Sequence, residues 1–199
     1  MNVVNRDWTP GFGTIYTWFA MDKHGRIAVM VNNCWGWLPD VLLSLEDFES
    51  VLDDLNEYKW EESDKYTTYP DNKKGQTILD LYSSAIYRHI KSREKVASWV
   101  NAQQTKDLNE VNIPSRKGFF IYHGVEGSRE GEDYPVGYEG ETRMGDYFRY
   151  LMPTIFASIE DFPQELRQGI AVSSTVDFSL DRVLNNNLIN TFFPKMYQD

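Results

Sequence analysis

Residues 14 to 21 and 26 to 31 are dense in β-branched and aromatic side chains, and Asp22-Lys23-His24-Gly25 between them has the composition of a turn. The pattern predicts a β-hairpin at the start of the chain. Both faces of each strand are largely apolar, which places the hairpin inside a sheet covered on two sides. Further on, Leu45, Phe48, Val51, Leu52 and Leu55 recur at helical spacing and predict a helix from Leu45 to about Tyr58. Ser44 stands as its N-cap with Asp47 in the capping-box position, and Leu43 with Phe48 forms a hydrophobic staple. The opposite ridge of that helix carries Glu46, Glu49, Asp53 and Glu57.

Residues 59 to 75 are polar and turn-rich and read as a loop. Ile78, Leu81, Tyr82, Ala85, Ile86 and His89 then predict a second long helix over Thr77 to Gln103, with its basic residues in the later half, where they suit the macrodipole. Gly118 to His123 and Gly145 to Met152 read as strands, and a long glycine-bearing loop joins them, a candidate functional element by its length. Ser158 to Gln168 offers a short helical turn restarted at Pro163. Alternation over Ile170 to Phe178 predicts a strand, and Leu180 to Leu188 a last short helix. The expectation is one α+β domain spanning residues 1–199, a mixed or antiparallel sheet with an N-terminal hairpin and two main helices packed on it. A chain of 199 residues with 41% hydrophobic and 15% aromatic content has the apolar surface for one such core.

Charge changes this picture. Between residues 40 and 64, ten acidic side chains face a single basic one, Lys59, so this segment carries −9 of a total of −10. Besides the ridge it includes Asp40, Asp47, Asp54, Glu61, Glu62 and Asp64. A second acidic stretch, Gly124 to Glu141, contains Glu130, Glu132 and Asp133 and carries −5, which leaves the rest of the chain net positive. Charge so localised points to a surface for a basic partner. Asp53, Asp54 and Glu57 also oppose the dipole of their own helix at about 0.3 to 1 kcal/mol each. An external partner compensates that cost, the basic end of the second helix neutralises it internally, or the ridge is an idle solvated face; all three readings stay open.

The same composition narrows the function classes. An acidic chain with a pI near 4.8 is ill suited to nucleic acid, whose phosphates require clustered Lys and Arg. No stretch has the length and apolarity of a membrane span, and Met1 to Pro10 has neither the basic head nor the apolar run of a signal peptide, so a cytoplasmic location is expected. One cysteine, Cys34, allows no intrachain disulfide. Cys34-Trp35 invites comparison with thiol hydrolases, with His24, His89 or His123 as the base, but Gly36 and Pro39 follow before any helix can direct a dipole at the sulfur. A buried structural thiol is expected. Trp35 and Trp37 either plug the core or stand out as interface anchors. Dispersed histidines argue against a metal centre, and the glycine-rich loop after Gly124 has neither EF-hand spacing nor the Gly-Lys-Ser/Thr ending of a phosphate loop. No metal, cofactor or catalytic set is assigned.

The run Thr17-Trp18-Phe19-Ala20-Met21-Asp22-Lys23-His24-Gly25-Arg26-Ile27-Ala28-Val29, with Tyr150-Leu151-Met152-Pro153 and Ile159-Glu160-Asp161-Phe162-Pro163, resembles a group of bacterial proteins. Some of these are similar to the immunity proteins that accompany polymorphic and contact-dependent toxins. The resemblance implies a cytoplasmic antitoxin that binds and blocks one cognate toxin domain, and it transfers no site residue. The charge pattern agrees independently, because nuclease toxins are basic where they hold phosphates and an acidic inhibitor can match that surface and gain association rate by steering. The expected function is a non-enzymatic acidic binding protein, an immunity-type inhibitor of a basic toxin domain. Its contact residues are Glu46, Glu49, Asp53, Glu57, Glu61, Glu62, Glu130, Glu132 and Asp133. The alternative is a small hydrolase using Cys34 with a histidine, or a pair of carboxylates.

Overall fold

Strands β1 (Thr17–Met21) and β2 (Ile27–Val31) pair antiparallel, with Thr17 opposite Val31 and Met21 opposite Ile27. Asp22 builds the turn between them: its Oδ1 accepts from the backbone N–H groups of His24 and Arg26, and Gly25 takes the left-handed conformation (φ 79°) that closes such a loop. Arg26 then bridges Asp22 and Asp177, fastening the hairpin tip to a distant loop. Residues 7–127 and 132–199 are described by this computed structural model.

After β2 the chain turns through Asn33 and Cys34, both left-handed (φ 46° and 69°), and enters a short helix, α1 (Asp40–Leu43). Helix α2 (Phe48–Trp60) follows, three residues later at its start than the sequence pattern predicts. Ser44 is not its N-cap. Its hydroxyl donates back to the Asp40 carbonyl and ends α1, while Asp47, left-handed and making no side-chain cap bond, starts α2. The expected capping box therefore does not form, because the serine is used on the preceding turn.

The largest departure is the predicted helix Thr77 to Gln103. This segment contains β3 (Thr77–Leu79), β4 (Tyr82–Ser83), a run of turns and a shorter helix, α3 (Arg93–Gln103), capped by Ser92. Thr77 to Leu79 take their backbone partners from a distant strand, and Ser83 Oγ accepts from Ile86 N–H, which supports the turns instead of a helix. Leu81 and Tyr82 are buried but Ile78 and Ile86 are exposed, so the apolar positions read from the sequence do not form one buried helix face. A 3-10 turn (Glu110–Asn112) leads into α4 (Ile113–Lys117), then β5 (Phe120–Gly124), β6 (Pro135–Val136) and β7 (Tyr147–Pro153). Helix α5 (Gln164–Arg167) precedes β8 (Ile170–Val172), which is shorter than predicted because Ser173 Oγ accepts from Thr175 and Val176 N–H and turns the chain. In place of a helix over Leu180 to Leu188 there is β9 (Val183–Leu184), followed by α6 (Ile189–Phe192) and β10 (Lys195–Met196).

The main sheet is mixed, in the order β10-β8-β1-β2-β5-β7-β3, with β9 also on β7; β4 and β6 form a separate pair. β1/β8 and β2/β5 are parallel and the other pairs antiparallel. Side chains alternate between two cores. Phe19, Ile27, Val29, Ile121 and Phe148 face one layer, and Trp18, Ala28, Met30, Phe120, Tyr122 and Tyr147 the other. Helix α2 serves both, with Phe48 and Leu52 in the second and Leu55 and Tyr58 in the first. Among the described residues, no helix is long and apolar enough to cross a membrane.

Candidate functional site

The docked face of α2 leaves its polar face outward. Glu46, Glu49, Asp53, Glu57, Glu61 and Glu62 are all exposed, but only Glu49, Asp53 and Glu57 lie on α2: the left-handed Asp47 takes Glu46 off the predicted ridge, and Glu61 and Glu62 follow the last turn. Glu61 is paired with Lys117 (2.8 Å), and Asp54, beside the ridge, with Lys65 (2.9 Å). Among the described residues Glu46, Glu49, Asp53, Glu57 and Glu62 have no ion-pair partner, and the basic residues of 88–95 make no ion pair with α2. The field of the ridge reaches the adjacent loop: the Tyr16 phenol is raised above its ordinary value by burial and then by the nearby Glu49 charge.

The second acidic stretch does not extend this surface as a unit. Asp133 is turned inward, 6% exposed, where it accepts from Ser83 Oγ, Ser84 Oγ and the Ala85 N–H. It stitches the β5–β7 connection to the segment after β4 and is corrected from contact residue to structural residue. Glu132 is exposed, and Glu130 lies outside the described residues.

Cys34 is buried, and among the described residues none of the three histidines is its hydrogen-bond partner. His24 bonds Asp177, His89 accepts from Arg88, and His123 bonds Glu110. Trp35 and Trp37 are half-buried, with Trp37 edge-on to Trp8 (6.3 Å). This loop is anchored at its polar centre: Asn32, fully buried, accepts from Tyr16 N–H and donates to Thr14 O and Gly36 O, and the Tyr147 hydroxyl donates to Trp37 O. A Cβ on Gly36 would meet the Tyr147 ring at 2.5 Å, so close packing and not chemistry accounts for the glycine here.

A cleft of about 480 Å³ opens beside α2, and sequence reasoning did not anticipate it. Its apolar lining includes Val29 and Val31 of β2 and Ile121 of β5; α2 contributes Asp53, Asn56, Lys59 and Trp60, and Glu110 stands on the 3-10 turn. Val31 and His123 are register partners at the carboxyl ends of the parallel pair β2/β5, a position where open sheets commonly hold ligands. Lys59 is only 5% exposed. Its ammonium donates to Asn56 Oδ1 (2.9 Å) and lies over the Trp60 ring (4.6 Å), with no carboxylate within ion-pair distance among the described residues. Burial lowers its pKa from the ordinary 10.5 to about 8, against the opposing pull of Glu110. Burial works to raise the Glu110 carboxyl, but the His123 imidazole, the hydrogen bond it donates (2.7 Å) and the Lys59 charge outweigh it and hold the group below its usual value. The sequence signal for this cleft was faint: Lys59 is the lone cation of an acidic run. Comparison with family models, curated proteins and solved structures finds no match to this chain, so its function has to be argued from these sites.

Proposed function

We propose that the protein is a non-enzymatic acidic binding protein of the immunity type, which blocks a basic toxin domain through the outward face of α2. The observation that carries this reading is the row Glu49, Asp53 and Glu57 on α2, with Glu46 and Glu62 just beyond its two ends, all exposed and outside any ion pair among the described residues. Phe48, Leu52, Leu55 and Tyr58 hold that face rigid from behind. Prealigned charge lowers the ordering cost of association, and an acidic row matches a surface built to hold phosphates. Glu61 supports the same surface in its pair with Lys117.

The test is co-purification with the product of the neighbouring gene, followed by binding kinetics across a salt series. Association should slow as salt rises toward the regime where the Debye length is about 8 Å, while dissociation changes less. Changing Glu46, Glu49 and Glu57 to Gln and Asp53 to Asn should preserve the fold and reduce the association rate by about tenfold or more. Unaltered association by the neutralised protein would refute the reading.

A further inference from the structure

The cleft beside α2 holds a chemistry that the acidic ridge does not use. A lysine forms covalent adducts with carbonyl compounds when its amine is free base, desolvated and not clamped by a carboxylate. Geometry supplies the last two: Lys59 is 5% exposed, lines the cleft, and among the described residues its ammonium hydrogen-bonds only the neutral amide of Asn56. Glu110, the carboxylate whose charge acts on it, lies beyond ion-pair distance and is engaged by His123. Phe19 and Trp60 flank the amine at 5.9 and 4.6 Å, and Val29, Val31 and Ile121 offer an apolar bed for a ligand body.

We propose that this cleft captures a small apolar aldehyde, with Lys59 Nζ condensing with it to form an imine. The lone pair of the neutral amine attacks the carbonyl carbon, a C–N bond forms, and the C–O π pair moves onto oxygen. Glu110, ionised in its pair with His123 and reached through one intervening water, passes the first proton released from nitrogen to the alkoxide, which becomes the carbinolamine hydroxyl, and then passes the second nitrogen proton to that hydroxyl. The C–O bond then breaks, water leaves, and the C=N bond is complete. No oxidant or reductant takes part. Other charged or titratable groups around Lys59 are Tyr16 and Asp53 in the cleft and Tyr58, Asp71, Lys73, Arg116, Lys117 and Asp161 on its other side. The cleft shares Asp53 with the proposed partner surface, but its chemistry needs no partner to be tested.

The experiment is reductive trapping: the whole protein is incubated with benzaldehyde and sodium cyanoborohydride over a pH series, and adducts are located by peptide mass mapping. At pH 8 about half of Lys59 is free base, against less than about 1% of an ordinary lysine, so Lys59 should be labelled about tenfold or more faster than exposed Lys95 and Lys106. The advantage should vanish in urea, where every lysine is equivalent. Glu110→Gln should slow Lys59 labelling by about tenfold while far-UV circular dichroism stays unchanged. Lys59 labelled no faster than Lys95 and Lys106 in the native protein would overturn the proposal. An unaltered rate in a folded Glu110→Gln protein would overturn the role given to Glu110.

Discussion

Replacing Lys59 by methionine removes a buried amine while keeping an unbranched stem, and it makes the electrostatics of the cleft measurable. In the folded protein the amine titrates near pH 8 because burial disfavours the ammonium. Unfolding returns it to its ordinary value of 10.5. Below pH 8 both states are protonated, and the fold bears the full cost of burying the charge. Between about pH 8 and 10.5 the unfolded chain binds more protons than the folded one, so stability rises with pH. Integrated from pH 7 to pH 10, the gain is about 2.5 kcal/mol for the wild type and zero for this site in Lys59→Met. Tyr58, raised to about 12 by burial and neighbouring charges, works in the opposite sense above pH 10, but it is present in both proteins and cancels in the difference. The assay is urea unfolding followed by tryptophan fluorescence at pH 7, 8, 9 and 10. The stability of the wild type relative to Lys59→Met should climb by about 2 to 3 kcal/mol across the series. A difference independent of pH, or one that falls, would show that the amine is not desolvated and would remove the physical basis for its chemistry.

Leu52 is 3% exposed on the docked face of α2, so Leu52→Ala should cost about 2 to 5 kcal/mol in chemical denaturation. Glu49→Gln on the outward face should shift the same measurement by less than about 0.5 kcal/mol. Asp80 is buried and bridges Arg149 (2.7 Å) and Arg182 (2.7 Å), and Arg149 is itself 5% exposed. Asp80→Ala leaves that guanidinium without its carboxylate and should destabilise by about 3 to 5 kcal/mol, whereas Arg182→Ala, at the more exposed end, should cost clearly less.

Much of the sheet was legible in the sequence. The apolar runs at Thr17–Met21, Ile27–Val31, Phe120–Gly124 and Tyr147–Pro153 lie where β-branched and aromatic density placed them, and the helical spacing of Phe48, Leu52 and Leu55 marks the face of α2 that docks. These are local properties: side-chain shape and periodicity act over a few residues and need no knowledge of the rest of the chain. The segment from Thr77 onward was not legible, because its residues satisfy a helical period and a strand equally well until β7 supplies hydrogen-bond partners to Thr77–Leu79. The parallel pairings of β2 with β5 and β1 with β8 likewise depend on contacts remote in sequence.

Charge divides in the same way. The sequence by itself determined that the acidic residues concentrate along α2, since their spacing follows from that helix alone. Which carboxylates face outward and which are consumed inside was decided by tertiary structure: Asp133 reads like Glu132 in the sequence but is drawn inward by the hydroxyls of Ser83 and Ser84. Lys59 makes the point most sharply. In the sequence it is one cation among ten carboxylates, where it reads as a surface charge; in the fold it lies against Phe19 and Trp60, across a cleft from Glu110. Its desolvation comes from elements that the chain brings together only on folding, and no local pattern encodes the removal of water from a single amine.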